Sequence, residues 1–187
     1  MKSAQVTAIA VAVIAIIVGV LLLLPKGSSS SLPQSLKPFT QGERSIVVKV
    51  DDLKECSLAP VAYTCDSPFP TPPPISWTSK VKASSFAIIV VDPDAPIGNF
   101  YHLLVYNIPP SVREWKPGIG TYGLNSAGRE GWFPICPPKG DKPHRYYFFV
   151  LALNVKGLPP GLSVIEFLKF VKGKVVGYGY TCLKYKR

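Results

Sequence analysis

Apolar, β-branched and aromatic residues gather in five stretches: Ser45 to Val50, Ser85 to Asp92, Tyr101 to Ile108, Arg145 to Asn154 and Lys174 to Lys184. Pro, Gly, Asp or Asn bound them, and such side chains suit a pleated surface, so each stretch predicts a β-strand. Phe86 to Val91 and Tyr146 to Leu151 are nearly all apolar, the pattern of central strands covered on both faces. One segment follows a helical period instead. Val164, Phe167, Leu168 and Val171 form a single apolar stripe, Ser163 and Glu166 stand at capping-box spacing, and Gly173 can stop the helix. Pro68 to Pro74 and Pro109 to Pro117 read as loops, and no internal repeat is visible. The pattern predicts a mainly β domain with one or two short helices.

The start of the chain is different. No charge occurs between Lys2 and Lys26, and Val6 to Leu24 is apolar apart from Thr7 and Gly19. As a helix this stretch spans roughly 30 Å, the thickness of a bilayer's hydrocarbon core. It has no polar face to turn toward solvent, which argues against a buried helix of a soluble domain. A secretory signal has an apolar region of about 7 to 15 residues and a small-x-small cleavage site. Here Leu21 to Leu24 run straight into Pro25-Lys26. Residues 1–26 are therefore expected to be an uncleaved transmembrane anchor, the alternative being a signal sequence and a secreted protein. Residues 27–44, with Ser28 to Ser31, Pro33 and Pro38, have the composition of a flexible linker. The folded domain is then expected over 45–187, on the extracytoplasmic side of the membrane.

The 187 residues suit one domain with an appendage and exclude a large multidomain enzyme. Lys and Arg number 21 against 11 Asp and Glu, a formal charge of +10. Six of the basic residues lie between Lys169 and Arg187 with no acid among them. That end can lie against anionic lipid head groups or form a solvated basic face. Nucleic-acid binding is disfavoured, because no recognition helix, zinc finger or aromatic RNA platform occurs. With two histidines in the chain, a site of three imidazoles is excluded. The four cysteines, Cys56, Cys65, Cys136 and Cys182, contain no CxxC spacing. They point to one or two disulfides, with three connectivities open, or to buried thiols, rather than to metal.

Three places can carry chemistry. Asp92-Pro-Asp-Ala-Pro96 follows an apolar strand, and its prolines stiffen a turn that holds two carboxylates; its plainer reading is an Asx turn. His102 opens the next strand, on the face expected to carry Leu104 and Tyr106. In Cys136-Pro-Pro-Lys-Gly-Asp-Lys-Pro-His144-Arg-Tyr146, a stiff loop delivers His144 and Tyr146 to one strand face and Arg145 to the other. Cys136 lies between Ile135 and Pro137 with no activating partner in sequence, which argues against a nucleophile.

DPDAP at Asp92 to Pro96, His102, CPPKG at Cys136 to Gly140 and HRY at His144 to Tyr146 together resemble the phosphatidylethanolamine-binding protein family, also called Raf kinase inhibitor-like proteins. Tyr63-Thr-Cys-Asp66, followed by Pro73-Pro-Ile-Ser-Trp77, is similar to the opening of the bacterial and archaeal branch. The likeness runs from Ser45 to Lys184. It implies an antiparallel Greek-key sheet sandwich with short helices, and a small preformed cavity for phosphate or a phosphorylated head group. It further implies a binding protein without catalysis or cofactor, and a kinase or protease as possible protein partner. Asp92, His102, Pro138, His144 and Tyr146 fall on the cavity positions, and Asp94 and Arg145 on the supporting ion pair. Many relatives have Gly before the cysteine where this chain reads Phe133-Pro-Ile-Cys136, and a membrane anchor is not a usual family feature.

The residue chemistry leads the same way. Two imidazoles and a phenol in a proline-walled cleft can donate hydrogen bonds to phosphate oxygens, while Asp92 repels them unless it orients or charges a histidine. Anion binding is therefore expected to strengthen as pH falls through the histidine range. The alternative from another class is a metal-dependent hydrolase using Asp92, His102 and His144 as ligands.

Overall fold

The structure is a computed structural model that describes residues 32–187. The candidate anchor, Val6 to Leu24, lies outside them; among the described residues no helix is long and apolar enough to cross a membrane. Among the described residues ten strands occur: β1 Glu43–Arg44, β2 Ile46–Val50, β3 Ser57–Leu58, β4 Ile75–Ser79, β5 Ser85–Asp92, β6 Phe100–Ile108, β7 Glu114–Trp115, β8 Thr121–Tyr122, β9 His144–Leu153 and β10 Val175–Tyr185. An α-helix, α1, spans Val164–Val171. All five strands expected from the apolar stretches form, and β5 has the expected bounds. The Ser163–Glu166 capping box is made in both directions, and Gly173 takes up a positive φ of 71° just after the helix.

The large sheet runs β1-β10-β9-β5-β6-β8, with β3 also on β10. Strands β9 and β5 are the centre, as their uninterrupted apolar runs require, and every residue of β5 is buried. A three-stranded sheet, β2-β4-β7, covers one face. Ile46, Val48, Ile75, Trp77 and Trp115 from it meet Phe86, Ile88, Val90, Phe148 and Val150 in one core. The alternate residues, among them Phe149 and Tyr106, face the other way. There Phe39 packs on Phe149 and Phe167 of α1 on Tyr106.

Two expectations change. The large sheet is not wholly antiparallel, because β1 and β3 pair in parallel with β10. Nor does the tether extend to residue 44. The folded unit begins at Pro33, Gln34–Phe39 is a 3-10 helix, and Leu36 and Phe39 are fully buried. Two prolines and exposed neighbours mask an apolar pair three residues apart, which is the period of a 3-10 turn.

Gly179 lets β2 pass directly over β10. A methyl group there would collide with the Ile46 carbonyl oxygen, which is backbone and cannot rotate aside. Gly179→Ala is expected to cost about 3 kcal/mol, read as a lower denaturant midpoint. An unchanged midpoint would mean that β2 yields freely.

Candidate functional site

The site is built where β5 ends and β9 begins, neighbouring antiparallel strands that bring Asp92 and His144 to the same edge of the sheet. Asp92 uses both oxygens. Its Oδ1 accepts the Asp94 amide at 2.8 Å, the Asx turn the bare sequence suggests, and its Oδ2 accepts from His144 Nδ1 at 2.8 Å. Burial raises the Asp92 pKa against the lowering effect of His144. Asp94 holds Arg145 through three bonds: the backbone amide at 3.0 Å, Nε at 2.8 Å and Nη2 at 2.7 Å. Burial pushes the Asp94 carboxyl up, but the Arg145 hydrogen bonds outweigh it and hold the carboxyl below its ordinary value. This planar fork fixes the β5–β6 turn to the start of β9.

A bulge positions His102. Pairing passes from Val90↔Leu103 to Val91↔Tyr101, so His102 is skipped and strand alternation breaks there. Its ring does not share the face of Tyr106, which packs on α1; it stands edge-on to Tyr146, 5.3 Å between centroids. Phe100, Phe133 and Trp132 complete an aromatic surround. The His102 carbonyl accepts the Phe133 amide at 2.8 Å, and Nδ1 donates to the Phe133 carbonyl at 2.9 Å. Burial among these rings pushes the imidazole down to about 4 against the raising effect of the Phe133 and Pro134 carbonyls. His102 is thus neutral at pH 7, with its one N–H occupied.

Asp92, His102, Pro138 and His144 line one cavity of about 330 Å³, together with Ala95, Pro96, Ile97, Phe100, Phe133, Cys136 and Pro137. Tyr146 stands behind His102 rather than on the cavity wall. Its hydroxyl is buried without a hydrogen-bond partner, and burial, then the nearby Asp92 charge, raise its pKa. The Cys136 wall is fastened by two disulfides' worth of connectivity only in part: Cys65–Cys136 holds it directly, whereas Cys56–Cys182 lies on β10. Arg187 adds a clasp, donating to Asp66 at 2.9 Å while its carbonyl accepts the Gly140 amide at 3.2 Å.

The metal alternative finds no support in this geometry: among the described residues no three His, Cys, Asp or Glu side chains cluster as ligands. Sequence reasoning missed the aromatic wall of Phe100 and Phe133. It also missed Asp141, whose Oδ2 lies 3.4 Å from His144 Nε2; an acid three residues before the histidine in a Gly-containing turn was the available signal.

A sheet sandwich with a small, largely apolar pocket at the edge of its central strands, and a few polar groups converging on it, defines a ligand-pocket protein. The sequence profile of the phosphatidylethanolamine-binding protein family matches residues 51–186, and the chain belongs to that family. It is 37% identical over 168 residues to a UPF0098 protein of Aquifex aeolicus, covering 84% of this chain and 98% of the relative. The phosphatidylethanolamine-binding protein homologue CT736 of Chlamydia trachomatis superposes with a TM-score of 0.71 at 29% identity, covering 78% of this chain and 99% of that one. Escherichia coli YbcL, described as a member of the mammalian family, gives 0.68 at 27% identity, with 76% and 99% covered. The family is in general one of binding proteins.

Proposed function

We propose that this chain is a non-enzymatic binding protein whose cavity takes phosphate or a phosphorylated head group. The observation that carries the reading is the convergence of Asp92, His102, Pro138 and His144, distant in sequence, on one pocket. Both Nδ1 positions are committed, to Phe133 and to Asp92. A neutral imidazole has one N–H, and at His102 the Phe133 carbonyl takes it, so His102 Nε2 donates to an anionic oxygen only when that ring is protonated. Binding therefore takes up protons, and for His102 the gain grows toward its value of about 4.

Titration calorimetry with glycerophosphoethanolamine, a phosphodiester whose own charge is constant over this range, is expected to give tighter binding at about pH 5.5 than at about pH 8. Equal affinities would overturn the mechanism, and absence of binding at both would overturn the reading. Two disulfides support an oxidising compartment. We accordingly place the domain outside the cytoplasm, held by residues 1–26. Regulation of a kinase or protease rests on family likeness, and a pull-down with the described domain tests it.

A further inference from the structure

His144 has two ring nitrogens, and both already face carboxylates. Nδ1 is bonded to Asp92 Oδ2 at 2.8 Å, and Nε2 lies 3.4 Å from Asp141 Oδ2. The two acids are not equivalent. The Asp92 side chain is 5% exposed and bonded on both oxygens, whereas the Asp141 side chain is 43% exposed and makes no hydrogen bond to the ring. Asp141 sits in the loop between Pro138 and His144, next to Gly140 with its φ of 88°. Its backbone amide reaches the Pro138 carbonyl at 3.3 Å, a long turn bond. The His144 side chain is 2% exposed.

We propose that Asp141 is a built-in competitor for the anionic ligand: its carboxylate covers the one nitrogen of His144 left for a guest, and an anion must displace it. The inference rests on reading the cavity as an anion site. A phosphate oxygen bound at His144 Nε2 would sit against the Asp141 carboxylate, 3.4 Å from that nitrogen, and like charges there oppose binding. The loop that carries Asp141 also forms the pocket wall at Pro137 and Pro138.

The test is calorimetric titration of inorganic phosphate, at one pH, into the wild type, Asp141→Asn, Asp141→Ala and the remote control Asp52→Asn. Asp52 is exposed and paired with Lys49, so the control makes the same change in net charge away from the cavity. Both Asp141 variants are expected to bind phosphate roughly tenfold more tightly than wild type and than Asp52→Asn. The alanine variant excludes the new amide as the source of the gain. Unchanged or weaker binding in the Asp141 variants would make the acid a support for His144 and overturn the competitor role. A gain matched by Asp52→Asn would reduce the effect to net charge and overturn it equally. Absence of binding in all four would overturn the anion reading of the cavity itself, and the competitor with it.

Discussion

Serine at both Cys65 and Cys136 is expected to lower stability by roughly 4 kcal/mol, the closure entropy of a loop of this size in the unfolded chain. The bridge spans 71 residues, and the second, Cys56–Cys182, spans 126. Because the first loop lies inside the second, reducing both costs less than the sum of the two. The consequences differ in kind. Cys136 lines the cavity, so losing its bridge frees the Pro137–Pro138 wall and weakens ligand binding as well as stability. Cys56–Cys182 lies away from the cavity, and Cys56→Ser with Cys182→Ser is expected to lose stability while keeping affinity at temperatures where the chain stays folded. Denaturant unfolding with and without reductant, beside titration of each variant, separates the two. A midpoint unmoved by reductant would contradict the account.

The second large effect is a loss of stability in mild acid. The His102 imidazole is down at about 4 in the folded protein, against 6.5 when exposed. Above pH 6.5 neither state is protonated there and the residue contributes no slope. As pH falls from 6.5 toward 4 the unfolded chain takes up a proton that the folded chain refuses, so folding stability is lost in that window. The loss reaches on the order of 3 kcal/mol near pH 4. Asp94, held below its ordinary value, loses stability in the same direction at lower pH, while Asp92, raised by burial, opposes it. Comparison with His102→Gln isolates the histidine: the variant is expected to show a flatter profile between pH 6.5 and 4. An identical slope in both proteins would place the proton uptake elsewhere.

Most of the fold is legible from apolar runs, because a strand covered on both faces has no alternative pattern. Phe86 to Val91 and Tyr146 to Leu151 become the two central strands for this reason. Strand β4 escaped notice although Ile75 and Trp77 alternate with Ser76 and Thr78, since Pro72 to Pro74 precede it and read as loop. The site was readable as residues but not as geometry. Asp92 and His144 border stiff, recognisable loops, whereas the bulge that re-aims His102 depends on the register of β5 against β6. Local sequence does not encode that register. Tyr146 illustrates the same limit: its strand face was predictable, but its place behind His102 follows from the bulge.

The parallel strands β1 and β3 matter beyond their two residues each. They sit on the outer side of β10, at Gly177–Tyr178 and at Leu183–Lys184, while Ile46 crosses the stretch between at Gly179. A long sheet margin is thereby broken into fragments too short for a second molecule to dock along. Cys56, next to β3, is sulfur-linked to Cys182 on β10, so the guard is covalently fastened to what it guards. Reducing conditions would unfasten one guard strand, and the chain would then be prone to assemble margin to margin with copies of itself.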